Sequence, residues 1–193
     1  MDCGALILGT PVYWWDTSGL VKYLILKMFR IYAMSAPFHG LPAFGIAIAG
    51  GTGNGLVSGL RPVYHYFQMM GMRAIEPLPV TRFNFDAARQ RASELGGEIA
   101  AMAVQRARFR GLEDKLLWYD ALPYLGLSRA DERRLLADLT VQGLPPAEGA
   151  SLALGLARAD ELAAAGKPLD AQREITRIYS DGAKAFEAKD SGK

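Results

Sequence analysis

With 193 residues, half of them apolar, the chain has enough material for an ordinary core, which excludes disorder and suits one domain plus an extension. A formal charge of +2 is too small for a nucleic-acid binder, yet residues 1–110 carry 11 basic and 6 acidic side chains while residues 111–193 carry 11 and 14. Cys3, the only cysteine, leaves no internal disulfide and no cysteine-ligated metal site, and fits a reducing, cytoplasmic setting.

The longest apolar stretches, such as residues 43–49, fall far short of the roughly 20 residues that cross a bilayer, so no membrane partner is expected. Ala5-Leu6-Ile7-Leu8, closed by Gly9-Thr10-Pro11, predicts a strand buried on both faces, as a parallel sheet requires. Leu20, Val21, Leu24, Ile25, Met28 and Phe29 then recur at helical spacing, with Thr17 or Ser18 as the cap. Pro37 and Gly40 to Pro42 mark a loop, and residues 44–49 form a second apolar run that predicts another buried strand. Leu56, Leu60, Val63, Phe67 and Met70 make a helical stripe in which Pro62 either occupies the first turn or kinks the helix. Gly71 ends it, and residues 72–76 supply a third short strand before Pro77 and Pro79. Ala88, Ala92, Leu95, Ile99 and Met102 define a longer helix from Asp86 to about Arg108.

Alternating strands and helices build a parallel sheet through right-handed crossovers. Beyond Gly111 no strand is predicted. Residues 128–140, 147–165 and 170–188 read as helices, the first opened by a capping box of Ser128 and Asp131.

Open parallel sheets bind ligands beyond the carboxyl ends of their strands. The loop after the first strand, Gly9 to Ser18, joins a proline-fixed backbone to aromatic residues. The loop after the second, Gly50-Gly51-Thr52-Gly53-Asn54-Gly55, has four glycines, which let main-chain N–H groups approach a ligand closely. Apolar surface beside main-chain donors is what a flavin ring needs. Donors at its pyrimidine edge favour electron uptake, because negative charge collects there on reduction.

Gly9-Thr10-Pro11-Val12-Tyr13 followed by Ser18-Gly19-Leu20-Val21-Lys22 resembles the Gly-Ser-Pro-Val-Tyr segment of NADPH-dependent FMN reductases, iron–sulfur flavoproteins and related quinone reductases. Ala49 to Gly55 resembles the family's glycine-rich flavin loop. The resemblance spans residues 5–108. It implies an α/β, flavodoxin-like parallel sheet in a partial FMN-binding domain over residues 1–110, with an all-helical extension over 111–193. It also implies that Thr10, Pro11, Val12, Tyr13 and Trp14 line the flavin ring and ribityl chain, joined by Gly51, Thr52, Gly53 and Asn54. The implied cofactor is FMN, the donor NAD(P)H, and the acceptor a small molecule such as a flavin or quinone. The flavin carries the electrons, so no acid–base catalytic residue is expected.

The family begins with a strand and a phosphate-binding loop, followed by a helix and a second strand, ahead of the segment that starts here. Their absence leads us to expect an incomplete sequence, a fragment, or a sheet edge covered by other helices or another subunit. Because that first strand is central in the order 2-1-3-4-5, its loss leaves an unpaired edge that invites association, and a homo-oligomer is expected. Among the other aromatic and basic residues the ordinary readings lead. Trp15 packs, His39 and His65 are structural or exposed, and Arg61 stabilises a loop rather than meeting a nicotinamide phosphate. No metal site is expected. The competing function is a non-catalytic interaction module that uses its helical tail.

Overall fold

The computed structural model describes residues 3–32, 34–35 and 37–190. The first apolar run opens a longer strand than expected: β1 (Leu6–Tyr13) continues through Gly9-Thr10-Pro11. Pairing explains the extension, since β1 runs parallel to β3 (Pro42–Ala49) from Leu6↔Ala43 to Pro11↔Ile48. On its other side β1 pairs, among the described residues, only at Val12 and Tyr13, with the two-residue β2 (Asp16–Thr17). Pro11 lies in the singly paired stretch, and proline is tolerated in a strand at such an edge.

The expectation that this strand is buried on both faces is corrected. Its side chains alternate, with Thr10 buried and Ile7 53 % exposed, because only one edge and one face are well covered. The following helix, α1 (Gly19–Tyr32), is capped by Ser18, whose Oγ accepts from the Val21 N–H. Of its apolar residues only Val21 is buried, and Leu20, Leu24 and Ile31 stay exposed.

Helix α2 (Leu56–Met69) buries Leu60, Val63, Tyr64 and Phe67. Pro62 is inside it, beyond the first turn, so the Ser58 carbonyl loses its helical donor. The Tyr64 hydroxyl accepts from the Gly45 N–H at 3.0 Å and donates to the Ile75 carbonyl at 2.9 Å. Burial pushes this phenol far above its ordinary pKa. Gly45 makes room for the ring: a Cβ there would stand 2.7 Å from Tyr64 Cε2.

Gly71, at φ +70, ends the α2 segment, and the expected third strand is reduced to β4 (Arg73–Ala74), parallel to β3. A further strand, β5 (Leu78–Thr81), also pairs with β3. The sheet order is β2-β1-β3-β4, with β5 off this path. Phe44, Ile75, Leu78 and Val80 pack with Ala88, Leu95 and Ile99 of α3 (Phe85–Gln105) to form the core on this side. The result is the α/β flavodoxin-like arrangement that the sequence predicted.

An additional helix, α4 (Leu112–Asp120), is fixed by main-chain contacts: Trp118 Nε1 donates to the Ala74 carbonyl at 2.6 Å and the Tyr119 hydroxyl to that of Met72 at 2.8 Å. The Arg73 guanidinium lies 4.4 Å from the Phe109 ring centre and 4.3 Å from that of Trp118. The chain divides into two compact units, Met1–Val80 with Ala88–Gly126, and Thr81–Ala87 with Leu127–Lys193. The second contains α5 (Arg129–Gln142), α6 (Pro146–Ala164) and α7 (Pro168–Asp190). Its core is built from Ala137, Leu156, Ala159, Ile175 and Ile178. Ser128 and Asp131 form the predicted capping box.

Candidate functional site

At the carboxyl end of β1 the chain reverses in two residues. Trp14 and Trp15 both have left-handed backbones, φ 54 and 61, between the pairs Val12↔Thr17 and Tyr13↔Asp16. This is the geometry of a primed hairpin turn, whose twist suits the strands but which normally carries Asn-Gly. For residues with a Cβ it costs about 1 kcal/mol or more each. Neighbouring contacts hold it in place. A Cβ at Gly55 would stand 2.9 Å from Trp15 Cα, and one at Gly59 2.8 Å from Val12 Cγ2. These two glycines let the hairpin lie against the first turns of α2.

The returning strand is tied to α1. Asp16 Oδ1 accepts from the Thr17 N–H and Oδ2 pairs with Lys22 Nζ. The Lys22 hydrogen bond is the main cause that holds the Asp16 carboxyl below the ordinary carboxylate range. Thr10 Oγ1 accepts from the Ser18 N–H at 3.0 Å.

The glycine-rich loop lies at the carboxyl end of the adjacent strand, β3. Gly53 and Gly55 have φ +79 and +90, which glycine adopts without a Cβ clash. Asn54 Nδ2 donates to Thr52 Oγ1 at 2.9 Å and shapes the loop's tip. Space beside Gly50 and Gly51 is open. Hairpin and loop meet around a cavity of about 200 Å³ lined by Val12, Trp14, Trp15, Ala49 and residues 50–54.

Of the residues expected to contact a flavin, Val12, Trp14, Gly51, Thr52, Gly53 and Asn54 line this cavity. Thr10, Pro11 and Tyr13 are outside its lining. Thr10 is 1 % exposed and engaged with Ser18, and Pro11 and Tyr13 alternate with Val12 on the strand. Trp15, expected only to pack, both touches the Gly55 position and lines the cavity. Ala49 and Gly50, which belong to the segment read as the flavin loop but not to the residues expected to contact the flavin, also line the cavity.

Arg61 donates through Nε to the Leu125 carbonyl at 2.8 Å. His65 is exposed on α2, and the His39 ring lies 6.5 Å from that of Phe109. Among the described residues no cluster of His, Cys, Asp or Glu has the arrangement of a metal site. Among the described residues no helix is long and apolar enough to cross a membrane.

The cavity fits a flavin ring in chemistry: indole and aliphatic surface on one side, a glycine-rich main chain on the other, and no ionisable side chain in the lining. A lysine or arginine that would meet the cofactor's phosphate is not among these lining residues, so the fit is to the ring. Residues 1–78 match the family model described as NADPH-dependent FMN reductase. No curated protein and no solved structure matches the chain.

Proposed function

From the match of residues 1–78 to the family model described as NADPH-dependent FMN reductase, we propose that the chain is an FMN-dependent NAD(P)H oxidoreductase that passes electrons to a small-molecule acceptor. The observation that carries this reading is the convergence of the Trp14–Trp15 hairpin and the glycine-rich loop on one uncharged cavity at the ends of two parallel strands. Val12 and Trp14 would hold the ring's apolar surface, and the main chain of Gly51 to Asn54 its polar edge. When bound, the flavin supplies the redox centre, accepting hydride from the nicotinamide and releasing electrons to the acceptor. The chain's own residues orient the ring. No side chain there is required to move a proton.

The test is to purify the chain, add FMN, and follow NADPH and NADH oxidation with a quinone acceptor. Flavin-dependent oxidation supports the reading; a protein that stays colourless and inactive contradicts it. The same runs rank the two nucleotides.

A second reading, an interaction module, draws on the exposed apolar residues of α1 and the open stretch of β1. Both features favour self-association, and a homo-oligomer in the cytoplasm fits either reading. Light scattering of the wild type and of Leu24→Glu decides this: a dimer that dissociates in the variant supports association, and a monomeric wild type rejects it.

A further inference from the structure

A second cavity, of about 250 Å³, lies between the later turns of α2, which carry His65 and Gln68, and the end of α4 with the segment that follows it. Its place in the sheet separates it from the glycine-rich loop. That loop follows the carboxyl end of β3 and leads into the start of α2. On the wall formed by α4, Tyr119 donates to the carbonyl of Met72, which precedes β4, the strand paired with the first residues of β3. The two cavities therefore belong to opposite ends of β3, and they share no lining residue.

The walls of the second cavity are held by bonds within the chain. The Tyr64 hydroxyl is engaged by the Gly45 N–H and the Ile75 carbonyl. Arg61 holds the Leu125 carbonyl, and the Leu125 N–H donates to the Pro123 carbonyl at 2.9 Å. Ligand sites are commonly preformed recesses of this kind, apolar with a few convergent polar groups. Leu122 and Leu125 supply apolar surface here.

Three polar side chains line the same recess without a partner. Among the described residues, the side chains of His65, Gln68 and Asp120 make no hydrogen bond or ion pair. His65 and Asp120 are exposed, so water satisfies each of them singly, and neither is needed to hold the fold. What distinguishes them is their convergence with Gln68, from two separate helices, on one preformed recess. Asp120 provides the lining's only carboxylate, and no lysine or arginine is among the lining residues. Negative charge and hydrogen-bonding groups beside leucine side chains suit a small cation with an apolar body and oppose an anion.

We propose that the cavity between α2 and α4 is a second ligand site, for a small organic ammonium compound with an apolar body. Asp120 meets the cationic group, His65 and Gln68 hydrogen-bond to it, and Leu122 and Leu125 cover the apolar part. The site stands independently of the flavin reading.

The experiment titrates the full chain with phenethylammonium, 2-phenylethanol and phenylacetate, probes of similar size that differ in charge, and follows binding by saturation-transfer NMR. Saturable binding of the amine is expected, about threefold tighter than the alcohol, with none for phenylacetate. Because Asp120 is exposed, Asp120→Asn leaves the packing alone and should abolish that threefold preference. Gln68→Ala should weaken the amine and the alcohol together, and added FMN should displace neither. The proposal is overturned by the absence of saturable amine binding or by an amine preference that survives in Asp120→Asn. Displacement by FMN also overturns it, since the probe would then occupy the cavity at the glycine-rich loop. A chain that binds the amine in this way but takes up no FMN defeats the flavin reading and supports the second site.

Discussion

Gly59 lies directly against Val12: a Cβ on Gly59 would stand 2.8 Å from Val12 Cγ2. Val12 is stiff at χ1 and is held in the β1–β2 ladder, so Gly59→Ala forces a shift of the hairpin or of α2. Overpacking of this kind costs about 1–3 kcal/mol. The prediction is a loss of that size in urea denaturation, with most of it recovered in the double variant Val12→Ala/Gly59→Ala. Full additivity of the two changes would show that they do not interact.

Tyr64 tests what joins β3 to the segment after β4. Tyr64→Phe keeps the ring against Gly45 but removes the bonds to the Gly45 N–H and the Ile75 carbonyl. Leaving buried polar groups unpaired costs about 1–3 kcal/mol. Equilibrium unfolding should report that loss, and a stability equal to wild type would contradict the assigned bonds.

Asp16 sets a pH dependence. Its carboxyl pKa is lowered from 3.8 in the folded chain, chiefly by Lys22. The contribution is therefore fully present above the unfolded value and is lost as pH falls through the lower folded one. The pair is about half exposed, so the effect is small. Thermal melts of wild type and Asp16→Asn should differ near neutrality and converge as pH falls from about 4 to 2. Parallel profiles across that range would rule the linkage out.

Trp118→Phe removes the Nε1 bond to the Ala74 carbonyl while keeping a ring near Arg73. The expected cost is about 1 kcal/mol, together with faster hydrogen exchange over residues 112–120. Unaltered exchange there would mean that α4 is held by other contacts.

Much of the α/β pattern is legible because burial imposes a period: Leu60, Val63 and Phe67 announce α2, and Phe44 to Ala49 announce β3. The Ser128–Asp131 cap is legible because its chemistry is local. The hairpin is not, since Trp14-Trp15 lacks the Asn-Gly signature of its turn. β5 was hidden by Pro79, which ordinarily argues against a strand. α4 depends on single bonds from Trp118 and Tyr119 to distant carbonyls, and such bonds leave no period. The same limit applies to α1, whose apolar residues predict a helix without showing which faces are covered. At the candidate site, the glycine run and Val12 could be read from the sequence. The side-to-side alternation that sets Pro11 and Tyr13 apart from the cavity required the strand to be longer than its apolar core.

The most direct measurement is a titration of the chain against the emission of FMN and of lumiflavin, which carries the ring without the phosphate. Because the cavity's fit is to the ring, saturable quenching of both flavins is the predicted result. Emission that does no more than follow dilution for both would contradict a flavin site at the Trp14–Trp15 hairpin and the Gly50–Gly55 loop.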